Sequence, residues 1–352
     1  MDALIGGKTV SNEPFESVSV GQTEVRVSRL GFGTAEIGGL YQEVDEADAH
    51  SVLDHAWSMG IRYYDTAPLY GYGNSERRLG RALSGRRRQD FAVSTKVGRL
   101  LYPSNAVPPG ADIDRQALDG REDAFYRATP PVKVVFDYSY DGVRRSVEES
   151  LGRTGLDRFD ILFIHDPDQH WKEAISGAYP ALHQLRSEGL VGAIGAGMNQ
   201  AEMLARFARE GDFDCVMLAG RYTLLDQAAL PELLPLCLEK GISIILAGVL
   251  NSGILADPRP GSRFNYVPAE PFWVERAQRL QAVCDRHHVP LKAAAVQFSL
   301  AHPAVACLVV GVRSHDHLEE YPELMRRQLP AELWAELRES GLIPAEAPTP
   351  QP

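Results

Sequence analysis

Four side chains able to form an acid–base device stand at or just beyond the ends of apolar runs in this chain. Asp65 follows the run 61–64, Tyr70 lies five residues later in the stretch DTAPLYGYGNSE, Lys96 ends the run 91–95, and His165 ends the run 159–164. A free tyrosine has a pKa near 10, too high for ready proton exchange at neutral pH. A lysine cation within about 4–6 Å favours the tyrosinate, and a carboxylate beside the lysine keeps it charged and aimed. A histidine can donate a hydrogen bond to a substrate oxygen. Such a set suits proton transfer at a hydroxyl or carbonyl while another species moves a hydride. Taken singly, a strand-end Asp or Lys is as readily half of a structural ion pair, and a lone Tyr as readily surface or core.

Bringing the four together needs strands whose carboxyl ends share one mouth. Strand candidates fall at 30–34, 61–64, 91–95, 159–164, 191–196, 214–218, 242–247 and 306–310. Continuous apolar runs such as ILFI at 161–164 read as parallel strands buried on both faces. Helical periodicity occupies 46–60, 141–155, 172–188, 200–209, 228–240 and 272–287 between them. The alternation predicts an α/β fold of one domain, a closed (β/α)8 TIM barrel over 25–342. Residues 1–24 read as an N-terminal extension. The stretch 98–138 leaves the third strand at the catalytic face and is too long for a plain connection, so it is expected to form a pocket wall or lid. The proline-rich 343–352 are expected to be a disordered tail.

The 352 residues admit two domains or one large barrel. With 36 Lys and Arg against 47 Asp and Glu, the net charge is −11, which disfavours nucleic acid or an anionic membrane as partner. No apolar run approaches the ~18–20 residues that span a bilayer, and the first residues form no signal-peptide h-region. Cys215, Cys237, Cys284 and Cys307 are scattered without a C-x-x-C pair and read as reduced core residues. These features point to a cytoplasmic protein, a monomer or small homo-oligomer, acting on a small molecule. GFG, GYG and GAG each lack the third glycine of a Rossmann fingerprint, and no P-loop occurs. His165-Asp166-Pro167-Asp168 and His287-His288 lack further ligands at metal-binding spacing, so no metal is expected.

DTAPLYGYGNSE, STKVG and DILFIHDPD, in this order at successive strand ends, resemble the aldo-keto reductase family, with similarity over roughly 25–325. The family is a (β/α)8 barrel that binds NAD or NADP in extended form without a Rossmann fold. The resemblance implies that Asp65, Tyr70, Lys96 and His165 are a catalytic tetrad, with Tyr70 the proton donor or acceptor. It implies cofactor contacts from Gly33 and Thr34, from Met198 and Asn199 after the fifth strand, and from Gly248, Leu250 and Gly253 after the seventh. After the eighth strand the implied contacts are Gly311, Arg313, Ser314, His317 and Glu320. Basic residues common near Gly311 and His317 in NADP-dependent relatives are absent, which leans the expectation to NAD. Substrate contacts are expected from Tyr70, His165, Tyr138 and Arg221. KVGRLL followed by a long insertion, then FDYSYDGVRRSVEESL and AGRYTLLDQ, resembles the aldose 1-dehydrogenases of the L-fucose, D-threo-aldose and L-galactose kind and pyridoxal 4-dehydrogenase. These oxidise a cyclic hemiacetal to a lactone. Reduction of small aldehydes or ketones, and a cofactor-sensing regulatory subunit, stay open as alternatives.

Overall fold

The computed structural model describes residues 11–114 and 125–350. Eight parallel strands close into a barrel: β3 (Leu30–Gly33), β4 (Tyr63–Asp65), β5 (Ala92–Val97), β8 (Ile161–His165), β9 (Ala193–Met198), β10 (Cys215–Ala219), β11 (Ser243–Ala247) and β14 (Val305–Gly311). They neighbour one another in chain order, and β14 closes the ring on β3. The eight predicted runs coincide with these strands to within a residue or two, because each strand is buried on both faces and its sequence is therefore mostly apolar up to its carboxyl end.

Side chains alternate between two cores. Tyr63, Ile161, Phe163, Cys215, Met217, Ile245, Cys307 and Val309 fill the barrel interior. Residues of opposite parity, such as Phe32, Tyr64, Val93, Ile164 and Leu218, pack outward against the helices. The period of two decides which strand-end residues look into the mouth. Asp65 shares the parity of Tyr63, Lys96 that of Ala92, and His165 that of Phe163, so all three project inward. All four cysteines are buried free thiols.

Two boundaries differ from the sequence reading. Residues 17–28 form an antiparallel hairpin, β1 (Ser17–Ser19) with β2 (Arg26–Ser28). Its Val20 and Val27 join the interior core and plug the amino-terminal end of the barrel, so this part of the extension belongs to the barrel. The expected tail packs as well: Ile343 and Ala347 are buried, and Arg338 donates to the Ala347 carbonyl. Proline-rich composition limited neither contact, since apolar residues lie between the prolines. Within 98–138, β6 (Arg99–Pro103) and β7 (Val132–Phe136) form a second antiparallel hairpin at the mouth. Arg115 and Arg121 of that stretch lie outside the described residues. The remaining strands, β12 (Arg263–Phe264) and β13 (Val267–Pro268), pair in the loop after β11.

Candidate active site

Lys96 Nζ donates to Asp65 Oδ2 at 2.6 Å and to the Thr66 carbonyl at 3.0 Å. The other carboxylate oxygen accepts from Ser94 Oγ at 2.6 Å, which in turn bonds the Tyr63 hydroxyl at 2.9 Å. Asp65 and Lys96 are only 3% and 2% exposed, so both charges are held by each other and by hydrogen bonds rather than by water. Two of the three ammonium protons are thereby used. Nζ lies 4.7 Å from the centroid of the Tyr70 ring, on its face. The Tyr70 ring meets His165 edge-on, with centroids 5.9 Å apart.

Burial, and then the Asp65 carboxylate, push the Tyr70 phenol well above its ordinary pKa. A cation at the ring face acts against this rise, which is the part the sequence reading gives Lys96. Without cofactor, Tyr70 is a neutral proton donor. His165 is driven the other way, well below the usual imidazole range, first by burial and then by the Arg99 and Lys96 cations. It is therefore neutral and carries one N–H donor. Its Nδ1 is buried without a partner among the described residues, and its Nε2 lies 3.4 Å from Asp166 Oδ2.

A buried ion cluster supports His165 from behind. Arg99 Nε donates to Asp114 Oδ2 at 2.9 Å, and its Nη1 donates to the His165 carbonyl at 2.8 Å. The Tyr138 hydroxyl also lies 2.6 Å from that carbonyl and 3.0 Å from the Asp166 carbonyl. The Tyr138 hydroxyl thus supports the β8 end, a role besides the substrate contact expected of it. Tyr126, from the long 98–138 segment, packs 6.2 Å from Tyr70 and forms the wall beside it. Phe125 sits between Tyr41 and Tyr266, so loops after β3, β5 and β11 meet over the mouth. Arg99 escaped the sequence reading, which has Tyr126 and Asp114 only among the aromatics and charges of 98–138 expected to line a pocket wall or lid, and Ser94 only as part of the third strand's end. Arg99 was findable in principle, as a charge set among the apolar residues of KVGRLL.

The half of the mouth away from the tetrad is built differently. The inward-facing residues at the ends of β9, β10, β11, β14 and β3 are Gly197, Ala219, Ala247, Gly311 and Gly33. Five small residues on consecutive strands leave an arc of open backbone beside the tetrad, which is where a flat ring can lie. The turn after β11 continues the arc: Gly248, Asn251, Ser252 and Gly253 all have positive φ, and a Cβ on Gly253 would meet nothing within 4 Å. Arg313 reaches back from the β14 end, with its Nε buried and unpartnered among the described residues.

The chain matches the model of the aldo/keto reductase family over residues 29–341. It is 43% identical to D-threo-aldose 1-dehydrogenase of a Pseudomonas species, over 90% of this chain and 95% of that protein. It is 41% identical to pyridoxal 4-dehydrogenase of Microbacterium luteolum, over 93% and 98%. The chain belongs to the aldo/keto reductase family. Its fold matches the holo form of an aldo-keto reductase from Bacillus halodurans with a TM-score of 0.71, at 24% identity over 95% of this chain and 98% of that one. It is an oxidoreductase, and aldo/keto reductases work with a nicotinamide dinucleotide. The arc of small residues would give a flat nicotinamide ring room to lie, and the positive-φ turn 248–253 would let backbone come close to a phosphate.

Several residues expected to hold the dinucleotide also make side-chain contacts within the protein. The Thr34 hydroxyl bonds the Asp65 carbonyl at 2.9 Å and Ser75, because its parity points outward. Met198 packs among the outward core residues for the same reason; Asn199, one residue on, has the inward parity. Glu320 pairs with Lys292. Ser314 caps the helix His315–Arg326, accepting from the His317 amide at 3.4 Å. Arg221 lies near Asp226 and Phe264 in a cleft that also includes Trp273 and contains no tetrad residue. Arg313 pairs with Glu36 and donates to the Leu40 carbonyl. Among the described residues no cluster of three His, Cys, Asp or Glu could hold a metal ion, and no helix is long and apolar enough to cross a membrane.

Proposed function

We propose that this enzyme oxidises the cyclic hemiacetal of an aldose at C1 to its lactone. The observation that carries the reading is the mouth itself, where a buried Asp65–Lys96 pair, Tyr70 and a neutral His165 converge on one space. The 43% identity to D-threo-aldose 1-dehydrogenase supports the sugar as substrate. The bound nicotinamide supplies the hydride acceptor and a positively charged ring. The protein's own residues do the rest. His165 donates to an oxygen on the reacting carbon and fixes its orientation. For oxidation Tyr70 enters as the phenolate, which the Lys96 ammonium over its ring stabilises, and takes the proton of the anomeric hydroxyl to become the neutral phenol. Run backwards, Tyr70 donates to a carbonyl oxygen, so the same groups reduce small aldehydes. The 41% identity to pyridoxal 4-dehydrogenase favours pyridoxal as the second reading, since it too closes into a hemiacetal. Initial rates with an aldose panel and pyridoxal separate the two: the aldose reading fails if pyridoxal alone is oxidised.

We assign NAD as the preferred dinucleotide. Arg313 is the one basic side chain at the β14 end expected to meet a 2′-phosphate, and Glu36 already neutralises it. Burial raises the Glu36 pKa, with the Arg313 cation opposing. Glu36→Gln is expected to free Arg313 and raise kcat/KM with NADP about tenfold relative to NAD, in line with the ~1.5–3 kcal/mol of a charge-assisted hydrogen bond. Parallel kinetics with the two cofactors check this; an unchanged ratio removes Arg313 from phosphate recognition. Four buried thiols and an acidic surface suit a cytoplasmic enzyme, working as a monomer or small homo-oligomer.

A further inference from the structure

The tetrad leaves one charged side chain at the mouth without a task. Asp166 follows His165 directly, and its carboxylate has Oδ2 3.4 Å from His165 Nε2 and 3.8 Å from Arg99 Nη2. Its side chain is 35% exposed, while the Arg99 partner behind it is 7% exposed, so the carboxylate forms the open face of a buried cluster. Its backbone has φ +40°, in the left-handed region, immediately before Pro167. A residue before proline is restricted to extended conformations, so this geometry is costly and is held in place by the surroundings. The Asp166 amide donates to the Gly197 carbonyl at 3.0 Å, and its carbonyl accepts from Tyr138. The neighbouring strand β9 and β7's continuation therefore clamp this turn.

The charged groups facing the carboxylate are Arg99 from β6, Lys96 from β5, Asp114 from the segment after β6, and Asp168 two residues on. Its own charge is felt at the Tyr70, Tyr138 and Tyr266 phenols. Asp166 therefore stands beside His165, whose ring meets the Tyr70 ring edge-on, at the side of the space where the reacting oxygen would be gripped. An ionised carboxylate only accepts hydrogen bonds, and its bonds from hydroxyls are short and strong.

We propose that Asp166 is a specificity-determining residue that accepts a hydrogen bond from a hydroxyl adjacent to the reacting carbon, selecting hydroxylated substrates over hydroxyl-free aldehydes of equal size. This deepens the aldose reading and rests on it for the natural substrate, although the selection itself acts in either direction of reaction. A carboxylate at the open face of the cluster favours a substrate that brings it a hydroxyl, because an analogue lacking one displaces its water without replacing the hydrogen bond. Burial, opposed by Arg99, raises the Asp166 pKa to about 6, so the selecting charge is present above that pH and lost below it.

The test compares glyceraldehyde with propanal, three-carbon aldehydes differing in hydroxyls, as substrates for reduction by the dinucleotide-loaded enzyme and its Asp166→Asn variant. Asparagine tolerates positive φ and keeps the shape, so the turn survives; cofactor binding by fluorescence quenching verifies this. The expected result is that the kcat/KM ratio of glyceraldehyde to propanal falls at least tenfold in the variant, mainly through the KM for glyceraldehyde. In the wild type, the KM for glyceraldehyde is expected to rise below about pH 6 while that for propanal stays level. A ratio unchanged by the substitution, whether both activities fall together or neither falls, overturns the proposal, as does a pH-independent ratio. Failure of the wild type to oxidise any aldose would overturn the aldose reading alone, because the comparison of the two aldehydes does not depend on it.

Discussion

Tyr70→Phe is expected to lower kcat by ~10²–10⁴-fold, the usual contribution of a positioned acid–base group, while leaving cofactor affinity and thermal stability near wild type. The substitution removes one oxygen. The ring still packs against His165 and Tyr126 and still lies under the Lys96 ammonium. Among the described residues no hydrogen bond of the phenol holds another residue in place, so the lost function is chemical rather than structural. Steady-state rates together with a thermal melt decide it. A variant within threefold of wild type would remove Tyr70 from the chemistry.

Lys96→Met should be inactive to a similar degree but for a compound reason. It removes the cation that stabilises the charged phenol, and it strands Asp65, whose carboxylate keeps only the Ser94 donor. Removing one partner of a buried pair costs about 3–5 kcal/mol, because the remaining charge is desolvated and uncompensated. Lys96→Met should therefore melt well below wild type, whereas Tyr70→Phe should not. The double variant Asp65→Asn, Lys96→Met should recover most of the stability and none of the activity. If Lys96→Met melts at the wild-type temperature, the pair is not the buried ion pair described above. If the double variant is active, the pair is not part of the proton-transfer machinery.

The barrel was readable because its strands are buried on both faces, so ILFI at 161–164 and SIIL at 243–246 carry the signal in composition alone. The tetrad was readable because its members sit where those runs end, and their inward parity follows from counting by twos. The same counting could have shown that Thr34 and Met198 face the helices; position at a strand end was used without parity. The hairpin at 17–28 has a visible alternation in SVSV and VRVS, but it was set aside with the extension. Tyr138 was harder. Its aromatic ring suits a sugar face, and only the three-dimensional path of β7 takes its hydroxyl to the His165 carbonyl. Asp166 was legible only as a weak metal ligand, because its role comes from an unusual backbone conformation that sequence does not display. Glu36 was silent for a related reason: its partner Arg313 lies 277 positions away and meets it only when β14 closes on β3.

The aldose reading is tested most directly by initial rates of nicotinamide reduction with L-fucose, D-arabinose, L-galactose and pyridoxal, each with NAD and with NADP, for the wild type and Tyr70→Phe side by side. The expected result is reduced nicotinamide formed with at least one aldose, faster with NAD than with NADP, above the rate with pyridoxal, and abolished by Tyr70→Phe. Absence of turnover with every aldose under both cofactors, in an enzyme that still oxidises pyridoxal or reduces simple aldehydes, would contradict it.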